Sequence, residues 1–253
     1  PPWPSPAAEA VQGGGGLALQ ELSSFKAAAV TCRREGGIEG LVSLFRSTDG
    51  TVRTAAVACL VNICRVDQKA AAATREADGI PALVAFLDDS TEAMRVAAAF
   101  CIENVARNET NKTLIREAGA IEALLRMVAH TCSEEEHVAA ASACVKLLEN
   151  EEDAANIFRL QGGIKRLRPI LSMPDPLRPA LAAEVLSHCA ATNSETRVAM
   201  RVQDVLRPLV ALLSSPTRRA RLGAASALMN ATNGETTNPV SYTHLRAHET
   251  RHD

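Results

Sequence analysis

GGIEGLVSLF, residues 36–45, returns four more times without gaps: as DGIPALVAFL at 78–87, GAIEALLRMV at 119–128, GGIKRLRPIL at 162–171 and DVLRPLVALL at 204–213. The anchors Ile38, Ile80, Ile121, Ile164 and Leu206 stand 42, 41, 43 and 42 residues apart. Leu41, Leu83, Leu124, Leu167 and Leu209 follow three residues on, and Phe45, Leu87, Val128, Leu171 and Leu213 follow seven on. Offsets of zero, three and seven lie on one face of an α-helix. Such a period marks stacked units, none of which can bury its apolar stripe alone.

Working outward, each anchor helix is followed by a polar turn: Ser47-Thr-Asp-Gly50, Asp88-Asp-Ser90, Thr131-Cys-Ser133, Ser172-Met-Pro-Asp-Pro176 and Ser214-Ser-Pro216. A longer Ala-rich helix comes next: VRTAAVACLVNICR (52–65), MRVAAAFCIENVAR (94–107), HVAAASACVKLLEN (137–150), LRPALAAEVLSHCA (177–190) and RARLGAASALMNAT (219–232). Its small side chains let neighbouring helices approach closely. A short amphipathic helix then leads to the next anchor, as in QKAAAATREADG (68–79) and NKTLIREAG (111–119), with an earlier copy at 25–37. Gly pairs or Gly-Ala before the anchors suit a left-handed turn between helices.

Composition agrees. Of 253 residues, 47% are hydrophobic and only 3% aromatic, so the apolar mass is Ala, Leu, Val and Ile, which favours helices over a β-sandwich. A net charge of −2 carries no nucleic-acid signature, and no apolar run is long enough to span a membrane. Seven cysteines with no C-x-x-C spacing argue against a disulfide scaffold or a cysteine zinc module, and for a reducing compartment.

The unit resembles the armadillo repeat: three helices, a Gly before the second, and an A-x-x-A-L-x-N-like third. The resemblance covers residues 25–233, with the stub of an earlier third helix at 17–24. It implies an all-α, right-handed superhelical solenoid of about five repeats, at 25–66, 67–107, 108–150, 151–193 and 194–233. It also implies a non-enzymatic scaffold that takes an extended peptide or a helix of a partner protein in a concave groove lined by third helices. Family members use an Asn on that helix to hold peptide backbone, since its amide both donates and accepts. The aligned positions are Asn62, Asn104, Leu147, His188 and Asn230, so the third and fourth copies depart from the pattern.

One turn before them stand Ala58, Phe100, Ala143, Glu184 and Ser226, without the Trp that forms lysine slots in nuclear-import receptors of the family. One turn after stand Arg65 and Arg107, and Arg53 and Arg95 repeat at the same 42-residue step; together they form a basic strip for an acidic partner segment. The third copy carries acids instead: Glu134, Glu135, Glu136, Glu149, Glu151 and Glu152. The candidate groove residues are therefore Asn62, Arg65, Phe100, Asn104, Arg107, His188 and Asn230. The alternative for each is an ordinary packing, capping or solvated-surface role. The Ala-rich, Cys-containing third helices resemble those of cytoplasmic scaffolds, axonemal docking proteins among them, and so imply a cytoplasmic, axonemal or ciliary setting.

The ends break the pattern. Residues 1–16 are rich in Pro and Gly and read as a flexible segment; residues 234–253 read as a disordered tail resembling translated cloning sequence. The chain starts at Pro1 and reads as a fragment. The tail holds His248-Glu-Thr-Arg-His252, an H-E-x-x-H string. It ends one residue before the C-terminus with no downstream third ligand, so no metal, cofactor, catalytic residue or small-molecule substrate is assigned. A zinc hydrolase is the remote alternative. A structural spacer within a larger protein is the nearer one.

Overall fold

The computed structural model describes residues 15–128 and 133–233, with side chains from residue 25 onward. The Pro/Gly-rich start up to residue 14 and the tail with its H-E-x-x-H string lie outside the described residues, as do residues 131 and 132 of the third turn. Fifteen α-helices and no strand occur among the described residues. The first, α1 (Gly15–Arg34), joins the expected stub and the first short helix into one continuous helix. The remainder follow as α2 (Gly37–Leu44), α3 (Gly50–Val66), α4 (Gln68–Glu76), α5 (Ile80–Ala85), α6 (Glu92–Val105), α7 (Glu109–Glu117) and α8 (Ala120–Met127). Then come α9 (Glu134–Leu148), α10 (Glu152–Leu160), α11 (Gly163–Leu167), α12 (Arg178–Thr192), α13 (Ser194–Val202), α14 (Leu206–Leu212) and α15 (Arg218–Thr232). Each repeat is a short first helix, a short second and a long third.

Local chemistry punctuates these units. Two residues before every anchor the backbone turns left-handed: Gly36, Gly119 and Gly162 have φ of 77°, 84° and 75°, and Asp78 and Asp204 have 58° and 53°. Asp is among the few side chains that enter this region at small cost. Side-chain N-caps open five of the helices: Asp49, Asp67, Asn108, Ser133 and Asn193 each accept a backbone N–H from the first turn. Pro169 has no N–H for the carbonyl of Lys165, so α11 stops at Leu167 and the chain continues as a short 3-10 turn at Ile170–Ser172.

The third helices α3, α6, α9, α12 and α15 stack on one another in sequence as one layer. Their buried faces are small: Ala98, Ala99, Ala139 to Ala141, Ala182, Ala183 and Ala224 are fully enclosed. At Gly223 a Cβ would come within 3.1 Å of the Ala180 carbonyl, so α15 lies hard against α12. The anchors Ile38, Ile80, Ile121 and Ile164 are at most 2% exposed and form a single core running through all repeats.

Arginines staple the repeats together. Five residues before each anchor stand Arg33, Arg75, Arg116, Arg159 and Arg201. Each reaches the start of the following repeat or the end of its own third helix. Arg33 meets the cap Asp67 at 2.6 Å and Arg75 meets Asn108 and Asn111 at 3.3 and 3.0 Å. Arg116 meets Glu151 at 3.3 Å, Arg159 meets Glu195, and Arg201 meets the Ala231 carbonyl at 2.9 Å.

Candidate partner-binding groove

The register of the third helices places the candidate residues. Burial repeats in threes, a half-buried or polar position followed by two enclosed ones, at 62–64, 104–106, 146–148, 188–190 and 230–231. The common step is therefore 42 residues, and Lys146 occupies the position expected for Leu147. Leu147 is 1% exposed and belongs to the core. Counted from the anchors, Asn62, Asn104, His188 and Asn230 stand 24 residues on and Lys146 stands 25, because the turn before α9 holds one extra residue: its cap Ser133 stands twelve past its anchor where Asp49 and Thr91 stand eleven past theirs.

Each of the three Asn candidates is already engaged. Asn62 is half-buried and accepts from the Arg65 guanidinium at 3.3 Å. Asn104 is 5% exposed; its Nδ2 donates to the Phe100 carbonyl at 2.8 Å, while its Oδ1 is buried without a partner. Asn230 donates to the carbonyl and hydroxyl of Ser187 on α12, at 3.0 and 3.1 Å. Phe100 and His188 are half-buried, and Arg65 and Arg107 are exposed. The candidates thus lie on or just past α3, α6, α12 and α15, and on α9 the same step holds Lys146.

Arg53 and Arg95 do not extend this strip. Arg53 donates to the Ser47 carbonyl at 2.8 Å, and Arg95 donates to that of Asp89 at 2.8 Å, tying down the turn before their own helix. Arg95 also pairs with Glu136 of the next repeat at 2.6 Å, and Arg53 with Asp89 at 3.9 Å. Arg221 repeats the motif on the Ser215 carbonyl at 2.8 Å. Several third-copy acids are likewise engaged: Glu136 with Arg95, Glu151 with Arg116, and Glu149 with Lys146 at 2.5 Å.

A charged stripe on the third-helix layer was not anticipated. Glu103 on α6 is held above the usual carboxylate range, first by burial and then by the Glu184 charge; Arg107, Lys146 and Arg219 oppose the shift. Groups from four successive third helices therefore feel one another. Arg219 pairs with Glu184 at 2.9 Å. Glu103, Lys146, Glu184 and Arg219 alternate in sign from helix to helix, but at steps of 43, 38 and 35 residues, so no period in the sequence marks them. The buried thiols are pushed up by burial, Cys64 and Cys144 to about 12, so they are packing groups and not nucleophiles. No three His, Cys, Asp or Glu side chains cluster with metal-binding geometry among the described residues, and no described helix is long and apolar enough to cross a membrane.

Residues 28–65 match the Armadillo/beta-catenin-like repeat family. The chain folds as an armadillo-type solenoid, and residues 28–65 carry the sequence of the repeat. An engineered protein solved by the Northeast Structural Genomics Consortium superposes with a TM-score of 0.78 at 26% identity, covering 85% of this chain and 88% of that one. A designed armadillo repeat protein in complex with the peptide (KR)4 gives a TM-score of 0.75 at 23% identity, over 85% and 92%. The armadillo repeats only protein from Plasmodium falciparum gives 0.68 at 18%, over 81% and 96%. No curated protein matches the sequence significantly.

Proposed function

We propose that this armadillo array is a non-enzymatic protein-interaction scaffold that takes an extended or helical segment of a partner protein along the exposed face of its third helices. The observation that carries the reading is the strict 42-residue step of Asn62, Asn104, Lys146, His188 and Asn230, all polar, each followed along its helix by an enclosed apolar residue. Such a step places polar groups at regular intervals beside a bound chain. Two further facts support it. Designed armadillo proteins of the same fold hold peptides, one of them (KR)4. Arg65 and Arg107 stay exposed and meet no carboxylate at salt-bridge distance among the described residues, whereas most other arginines bond carboxylates or carbonyls of their own or neighbouring repeats. The buried free thiols of Cys64, Cys101, Cys144 and Cys189 favour a reducing, cytoplasmic setting.

The test uses the full chain against a displayed library of random peptides. Selected peptides should lose affinity with Asn62→Ala and Asn104→Ala combined, while the melting temperature moves little. Equal loss of stability and binding would assign both residues to packing.

A second reading, a structural segment of a longer solenoid, is favoured by the last repeat. Leu222 is 62% exposed where its counterparts Ala180 and Val96 are at most 8% exposed, and Leu213 is 41% exposed where Leu171, Val128 and Leu87 are at most 2%. The last repeat thus shows the face that inner repeats bury against their successor.

A further inference from the structure

A cleft of about 490 Å³ opens on the edge of the array where α3 hands over to α4. Its rim carries Lys26, Arg33 and Arg34 from α1, Arg65 from α3, and Lys69 from α4, with Asp67 as its one acid. Arg33 and Asp67 neutralise each other at 2.6 Å. Asp67 also caps the N-terminus of α4 through the Lys69 N–H, so the helix end is already occupied. That leaves Lys26, Arg34, Arg65 and Lys69, all exposed, and none has a carboxylate within salt-bridge distance among the described residues.

The fold does not require these cations. One repeat along, the same four positions hold Gln68, Glu76, Arg107 and Thr110; two along they hold Glu109, Glu117, Glu149 and Asp153; three along, Glu152, Leu160, Ala191 and Glu195. Four cations become four acids within two repeats. By contrast, the stapling arginine stands at its position in every copy. Residues that recur at the period build the solenoid, and those that reverse charge against it serve something outside it.

We infer that this cleft binds an anionic side-chain group, carboxylate or phosphoryl, on a partner protein segment. The inference rests on the scaffold reading, and Arg65, one turn past Asn62, connects the cleft to the proposed groove. Four converging cations in a chain of net charge −2 attract an anion locally, and opposite charge on the neighbouring repeats sets the register of the bound segment. A protein segment fits better than a nucleic acid. A phosphodiester chain running on from the cleft would meet the acids of the next two repeats, and no aromatic side chain lines the cleft for base stacking.

The test is fluorescence anisotropy of the full chain with three labelled probes: an octaglutamate peptide, a serine-rich octapeptide with and without one phosphoserine, and a twelve-residue oligo-dT. The variant Arg34→Glu with Lys69→Glu installs the acids that the same fold carries at Glu76 and Glu195, so it retains the structure. It should weaken the anionic peptides about tenfold, in a salt-sensitive manner. Arg207→Glu with Arg218→Glu, which changes net charge equally at the far end, should leave them unchanged. Octaglutamate against the phosphoserine peptide tells which anion is preferred. Asn62→Ala with Asn104→Ala should spare octaglutamate binding even where library peptides are lost, which separates failure of the cleft from failure of the groove. Equal loss in both charge-reversed variants, no loss in either, or oligo-dT binding as tightly as octaglutamate through the same residues would overturn the inference.

Discussion

His137 sits in the first turn of α9 at 1% exposure, and it makes folding depend on pH in a definite direction. It stands at the step of Arg53, Arg95 and Arg221, with the Val128 carbonyl at the end of α8 near its ring. Its Nε2 is buried without a partner. Burial first, and then the nearby Arg178 charge, hold the imidazole down at about 4, although Asp175 and the Val128 carbonyl pull the other way. In the unfolded chain an ordinary histidine titrates near 6.5. Between those values the unfolded chain holds a proton that the native state refuses, so stability rises with pH there and falls as the solution is acidified. The gap corresponds to at most about 3 kcal/mol, and about 2 kcal/mol of it should disappear between pH 7 and pH 5. His137→Asn keeps a short donor and does not titrate. Urea unfolding of both proteins at pH 7, 6 and 5 isolates the histidine in the difference, because the acids Asp89, Glu149 and Asp175, all held below their usual range, cancel. The stability of wild type relative to the variant should fall by about 2 kcal/mol across that window. A difference that stays flat with pH would refute the buried neutral imidazole.

Three further outcomes follow from the packing. Gly163→Ala should destabilise by about 1–3 kcal/mol in thermal or urea melts, because its Cβ would lie 2.4 Å from the stiff, buried Phe158 ring; an unchanged midpoint would contradict that approach. Leu171→Ala should cost about 2–5 kcal/mol and Leu213→Ala under about 1 kcal/mol, since the first is 2% and the second 41% exposed at equivalent positions; matching costs would mean that something covers the last repeat in solution. A double-mutant cycle of Arg95→Ala and Glu136→Ala should give a coupling of about 1–2 kcal/mol, as the pair bridges two repeats at 2.6 Å with Glu136 almost enclosed.

Much of the architecture was legible because apolar burial repeats strictly. The anchors at Ile38, Ile80, Ile121, Ile164 and Leu206 mark every second helix, and the Gly positions before three of them turn left-handed as expected. Asp78 and Asp204 hold the same conformation without a glycine signal, since the αL penalty for Asp is small enough for the surrounding helices to impose it. The candidate site was less legible. The turn before α9 is one residue longer and the preceding anchor step one shorter, so the third helices keep a 42-residue step; matching the Ala-rich strings at 94 and 137 overshoots it by one, and one residue rotates a helix face by about 100°, which exchanged Lys146 for Leu147. Arg53 and Arg95 looked like a partner-facing strip because their spacing matches the repeat. Their acceptors are turn carbonyls and a glutamate about one repeat away, and no pattern of apolar residues reveals them. The stapling arginines were overlooked for the same reason.

Periodicity therefore has two meanings in such an array, and they separate structure from function. A polar residue kept at every step, like the arginine five places before each anchor, is tied to the backbone or to the next repeat, as Arg201 is to the Ala231 carbonyl at 2.9 Å. It stabilises stacking, and stacking is common to all units. A polar residue that changes from copy to copy cannot be serving that common geometry. Lys26, Arg34 and Lys69 at one end, and Lys146 and His188 among the Asn positions, fall in this second class. The engaged Asn amides fit the same logic. A bound chain must exchange the Ser187 contact of Asn230 and the Arg65 contact of Asn62 for its own, so each exchange is near neutral in net hydrogen bonding. On the proposed scaffold reading, partners are then discriminated by charge that no neighbouring repeat neutralises, as at Lys26, Arg34, Arg65 and Lys69 around the junction of the first two repeats.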